Sequence, residues 1–204
     1  MEAIANVIGL DFEYFPAVSR DDFGILEKYN FDIAPNHKTC YVSHYRVFES
    51  IVSNGYSSAL VLEDDIDLEI NISSIMIDIY RILPADWEML YLGHCTWEGN
   101  GELVGNASDF KLLKSTAPAC THAYAVSLLG AKKLIRELVR PSRPVDLEIS
   151  NKIESGIITS YSLEPSVIVQ WKSKDNPSDV SPGSMQWSYP LKNSTLHFLG
   201  YKEI

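Results

Sequence analysis

Residues 60–69 read LVLEDDIDLE, an apolar run that stops on Glu63, Asp64 and Asp65, with Asp67 and Glu69 close behind. Two carboxylates ~4 Å apart repel by about 4 kcal/mol at an effective dielectric near 20. Carboxylate oxygens gathered at a strand end suit a hard divalent cation such as Mg2+ or Mn2+, which relieves that repulsion. The same ion would neutralise a diphosphate that an acidic protein otherwise repels. In an extended chain Glu63, Asp65 and Asp67 share one face and Asp64 points the other way. A solvated strand end with helix-capping acids is the plainer alternative. Phosphatases, nucleases and glycosyltransferases all carry acidic strand ends, so the run alone does not choose among them.

The elements around this run decide what it can do. ALVL does not alternate, which predicts a short strand buried on both faces. TCYVSHYRVFESIVSNG places Tyr41, Tyr45, Phe48 and Val52 at helical spacing and ends at Gly55. Helices are also predicted for MEAIANVIGL, for SSIMIDIYRIL up to Pro84, for LLGAKKLIRELVR, and for DLEISNKIES with Asp146 as its N-cap. Strands are predicted for DFEYFPAV, WEMLYLGH, FKLLK, HAYAVS, GIITSYS and SVIVQW, and a loop for 94–109. Alternating strands and helices predict an α/β fold with a mostly parallel sheet. Ligands in such sheets bind beyond the carboxyl ends of strands, where Glu63–Asp65 would lie. The expected domain is 1–171, followed by a loop-rich tail at 172–204.

The bulk numbers narrow the function. The chain has 204 residues, 46% of them hydrophobic, and a net charge of −10. That is enough for a packed core, and the acidity argues against nucleic-acid or anionic-membrane partners. No transmembrane segment is predicted. Cys40, Cys95 and Cys120 have no CxxC spacing and fit a reduced compartment. With no basic, apolar leader in the first residues, a cytoplasmic location is favoured.

Six blocks, in order, resemble glycosyltransferase family 25, the group of lipooligosaccharide and collagen β-galactosyltransferases. They are CYVSHYRVFESIV (40–52), ALVLEDDIDLE (59–69), WEMLYLG (87–93), THAYAVSLLGAKKLI (121–135), RPVDLEI (143–149) and YSLEPSVIVQ (161–170). The resemblance implies a GT-A type fold, a single Rossmann-like domain. It also implies a UDP-sugar donor (UDP-galactose by family habit), Mn2+ or Mg2+, a saccharide or glycoconjugate acceptor, and inversion at the anomeric carbon. The family's opening strand, of the form vxvInLxxRxxR, has no match, so the sheet is expected without it.

The resemblance implies roles residue by residue. Glu63-Asp64-Asp65 stands for the DxD-like motif, with Asp65 and Glu63 as metal ligands and Asp64 holding the ion's waters or the donor ribose. Ser43 and His44 would touch the donor. Asp146 is the candidate base for the acceptor hydroxyl, a role with which helix capping competes, and Glu148 is the fallback. Tyr124 and Cys40 are expected in the core, Gly130 at a close helix contact, and Glu164-Pro165 in a structural turn. Trp171, Trp187 and Tyr189 form a possible sugar platform, Lys172 and Lys174 possible pyrophosphate contacts, and His197 a weak third metal ligand. The competing readings are a catalytically silent relative that binds a glycan or a protein, and a metal-dependent hydrolase.

Overall fold

The computed structural model describes residues 1–29, 31–96, 98–172 and 190–201. Its strands are β1 (Ser58–Leu62), β2 (Ile66–Leu68), β3 (Met89–Gly93), β4 (Leu103–Ala107), β5 (Phe110–Lys114), β6 (Ala123–Ser127), β7 (Ser160–Glu164) and β8 (Ile168–Gln170). Its helices are α1 (Glu2–Ile8), α2 (Phe23–Leu26), α3 (Pro35–Asn54), α4 (Ile72–Ile82), α5 (Leu128–Glu137), α6 (Val145–Glu154) and α7 (Thr195–Phe198).

The α/β class holds, but the sheet is not mostly parallel. Six strands lie in the order β1-β6-β3-β7-β5-β4, and β2 pairs with β8 in a separate ribbon. Among the described residues only β3 and β7 pair in parallel; the remaining strand pairs are antiparallel. The physical reason lies in how β3 is buried. MLYLG is buried at every position because helices cover both faces of the sheet, a state that reads like a parallel strand. β1, β3 and β7 do run in one direction, but β6 inserts between β1 and β3 against them.

β3 shows the layering. Leu90 and Leu92 pack on one face with Ile75 and Ile79 of α4 and Ile168 of β8. Met89 and Tyr91 pack on the other with Tyr41 and Phe48 of α3, Leu134 of α5 and Ile149 of α6. α3 begins with Pro35 and stops where Gly55 takes φ 67°, a left-handed conformation that costs glycine little. Gly130 lets α5 close on the sheet: a Cβ there would lie 2.3 Å from the Glu88 carbonyl oxygen.

Three local expectations change. DFEYFPAV forms no strand. The expected loop at 94–109 contains β4, which hairpins onto β5 through Ser108 at φ 54°; Gly105 and Asn106 hid it, both poor strand formers. β1, expected to be buried on both faces, is the edge strand beyond β6, and Leu60 is 46% exposed. Beside it Leu10, Leu60, Leu62, Met76 and Ala125 line an apolar cavity of about 260 Å3.

Residues 190–201 return onto β2. Glu69 accepts from the backbone N–H groups of Lys192 (2.6 Å) and Asn193 (2.9 Å), and Leu196 is buried in the core.

Candidate functional site

β1 ends at Leu62, the chain bends through Asp64 and Asp65, and β2 begins at Ile66. That bend breaks the alternation expected along the run, so the acids part. Glu63 turns inward: Oε1 lies 3.3 Å from His44 Nε2 and accepts from Thr121 Oγ1 at 3.0 Å. Asp64 is exposed. Asp67 faces the C-terminal segment, accepting from Ser194 Oγ at 2.5 Å and Leu196 N–H at 3.0 Å.

Asp65 is the carboxylate left over. Gln170 Nε2 reaches both Asp65 Oδ2 (3.3 Å) and Glu63 Oε2 (3.4 Å), tying the two together. Asp65 Oδ1 is buried and makes no hydrogen bond among the described residues. Burial, then the charges of Glu63 and Asp64, push the Asp65 pKa up to about 6. A carboxylate held this way is under electrostatic load that a cation would remove.

Glu63 is loaded the opposite way. Burial would raise its pKa, but the hydrogen bond and charge of His44 hold it below the usual carboxylate range. For His44 burial works against the charged ring, yet Tyr124, Cys40 and Glu63 together raise its pKa well above the ordinary value. The two ring nitrogens of His44 thus face Glu63 on one side and, 2.9 Å from Nδ1, the Tyr124 hydroxyl on the other. Tyr124, expected as core, is also the group that orients His44. Ser43 binds within the protein: its Oγ donates to Thr39 O at 2.8 Å and accepts from Val18 N–H at 2.9 Å.

Asp146 is not the N-cap of α6; Pro144 holds that position. Asp146 Oδ2 instead accepts from the Cys120 N–H at 3.1 Å, and Oδ1 makes no hydrogen bond among the described residues. Because Cys120 and Thr121 are consecutive, Asp146 and Glu63 are anchored on neighbouring residues at one end of the sheet. Glu148 is occupied, accepting from Ser142 N–H (2.9 Å) and Ser142 Oγ (3.1 Å). The Trp171 N–H donates to the Asp65 carbonyl at 2.6 Å, and its ring meets Tyr201 edge-on at 5.9 Å. The charge of Lys172 acts on Asp65. His197 is exposed on α7. Lys174, Trp187 and Tyr189 lie outside the described residues.

Sequence reasoning missed Thr121 and Gln170, uncharged residues that nothing but the fold brings to Glu63 and Asp65. It also missed the Cys95–Cys120 disulfide, whose sequence separation of 25 matches no short cysteine motif. Among the described residues no helix is long and apolar enough to cross a membrane.

The sequence pattern of glycosyltransferase family 25 (LPS biosynthesis protein) matches residues 7–149. The chain is 31% identical to a glycosyltransferase 25 family member of Anopheles gambiae, over 65% of this chain and 25% of that protein. It is 30% identical to procollagen galactosyltransferase 1 of Danio rerio, over 52% of this chain and 18% of that protein. It is 31% identical to the inactive glycosyltransferase 25 family member 3 of Homo sapiens, over 80% of this chain and 26% of that protein. The chain thus spans about a quarter or less of the length of these relatives. With the family pattern covering residues 7–149, the chain belongs to glycosyltransferase family 25.

Proposed function

We propose that this domain is a metal-dependent inverting hexosyltransferase. In this reading it moves a hexose, galactose by family habit, from a UDP-sugar to a hydroxyl of a saccharide or glycoconjugate. The observation that carries the reading is Asp65: a buried Oδ1, unpartnered among the described residues, on a carboxyl whose pKa is raised to about 6 beside two further acids.

Asp65 is the protein ligand of Mg2+ or Mn2+ in this account. Glu63 has both oxygens engaged, so its part is to hold Asp65 in place through Gln170. Asp64, exposed at the bend, reaches the ion's waters or the ribose. One carboxylate with waters and substrate phosphates is an ordinary shell for Mg2+. The chemistry such an ion supplies is neutralisation of the charge that develops on the leaving diphosphate. The raised pKa of His44 favours a positive ring behind Glu63, which offsets the charge of the acidic pair toward the donor. Ser43 is left to secure α3 against the N-terminal segment.

Asp146 is the base. Its Oδ2 is fixed by the Cys120 N–H, which orients the carboxylate and leaves Oδ1 open to an acceptor hydroxyl. The proton moves to Asp146 as the acceptor oxygen attacks the anomeric carbon, and UDP departs from the opposite face. The test is UDP release from UDP-galactose with Mn2+ over a panel of saccharide acceptors. Acceptor-stimulated release that disappears in Asp146→Asn is the expected result.

A catalytically silent glycan- or protein-binding module is the second reading. One observation favours it: the human relative that covers 80% of this chain is named inactive. Metal-dependent UDP binding without release across the panel would select it.

A further inference from the structure

Cys95 lies two residues past the end of β3, His122 immediately before β6 and Cys120 three residues before it, and those two strands are paired. The Cys95 and Cys120 sulfurs and one ring nitrogen of His122 all lie within 4.8 Å of one another. The backbone fixes this meeting, with Cys95 N–H donating to the Ala119 carbonyl at 3.0 Å. The residues therefore converge from the segments that flank two paired strands.

His122 is built as a ligand. It is 2% exposed, and Nδ1 has no hydrogen-bond partner among the described residues. Nε2 lies 3.4 Å from the Ile168 carbonyl oxygen. A carbonyl only accepts, so Nε2 carries the proton and Nδ1 presents a bare lone pair. A buried acceptor left without a donor is costly in a core. A histidine whose other ring N–H is held by a backbone carbonyl is the usual arrangement around a bound metal. Gly93 keeps room for the ring, since a Cβ there would lie 2.3 Å from His122 Nε2.

We propose that Cys95, Cys120 and His122 form a site for a thiophilic divalent cation of the zinc type, closed by the Cys95–Cys120 disulfide and opened by its reduction. Two thiols, or one dithiol, transfer two electrons and two protons to the disulfide and leave as a disulfide themselves; Cys95 and Cys120 become thiols. Cation binding displaces those two protons to solvent, and His122 coordinates through Nδ1 without losing one. Two thiolates, a neutral imidazole and a divalent ion sum to zero charge, which suits a half-buried site with a buried imidazole. Three protein ligands leave one position of a tetrahedron for water.

The test uses the whole chain, reduced with a phosphine and titrated anaerobically with Co2+. The expected result is one equivalent bound with a near-ultraviolet thiolate-to-cobalt charge-transfer band that Zn2+ displaces. The band is absent from the oxidised protein, lost in C95S, C120S and H122Q, and kept in C40S. A second readout needs no variant: Zn2+ should protect Cys95 and Cys120 of the reduced protein from iodoacetamide while Cys40 stays reactive, as read by mass spectrometry. No band from the reduced wild type, a band that survives C120S, or alkylation of all three cysteines at equal rates in Zn2+ would each overturn the proposal.

Discussion

His44 Nε2 lies 3.3 Å from Glu63 Oε1, so a helix that covers one face of the sheet carries the ring that pairs with the first acid of the EDD run. Removing one member of a fully buried pair costs about 3–5 kcal/mol. Glu63 keeps 29% of its side chain exposed, so His44→Gln should cost less, roughly 2–3 kcal/mol at pH 7. The double variant His44→Gln/Glu63→Gln should recover most of that loss. Urea denaturation of the four proteins measures it, and additive losses would mean that the two groups are not coupled.

The same pair sets a pH window. Glu63 has a lowered pKa, so its contribution is present above the unfolded carboxyl value and is lost as pH falls through the folded one. His44 has a raised pKa, so its contribution is complete below the unfolded imidazole value and is lost as pH rises through the folded one. The pair should therefore stabilise most strongly between those limits. Melting curves of wild type and the double variant should differ most between the two unfolded values, about 4.3 and 6.5, and draw together as pH moves beyond that window on either side.

Asp65 behaves in the opposite sense to Glu63. Its pKa rises from 3.8 to about 6 on folding, so without metal it penalises the fold above pH 6, and the penalty fades as pH falls toward 4. Asp65→Asn should raise the stability of the metal-free protein at pH 7 by roughly 1–3 kcal/mol, with no gain near the unfolded pKa. A variant less stable than wild type at pH 7 would show that the carboxylate is not under load.

Gly130 is needed for contact, not for backbone freedom. A Cβ would stand 2.3 Å from the Glu88 carbonyl, a backbone atom that cannot turn aside. Gly130→Ala should therefore destabilise by about 1–3 kcal/mol despite the better helix propensity of alanine. A neutral or stabilising result in thermal melts would contradict this packing.

Much of the helical layer was legible because periodicity reports the buried face directly: Tyr41, Tyr45 and Phe48 of α3 are buried where their spacing put them. Strand direction was not legible. The buried runs in β3 and β6 look alike, yet β6 runs against its neighbours, and no side chain encodes that choice locally. The acidic run was visible as a charge pattern, but how each acid is held, and so which buried oxygen is left over, depends on Thr121, Gln170, Ser194 and Leu196. Those partners come from segments 58 to 129 residues away in sequence.

Isothermal titration of UDP into the protein with and without Mn2+ tests the central claim most directly. The account predicts binding only with Mn2+, abolished by Asp65→Ala and unchanged by Asp146→Asn. Equal UDP binding without the ion, or Mn2+-dependent binding that survives Asp65→Ala, would contradict it.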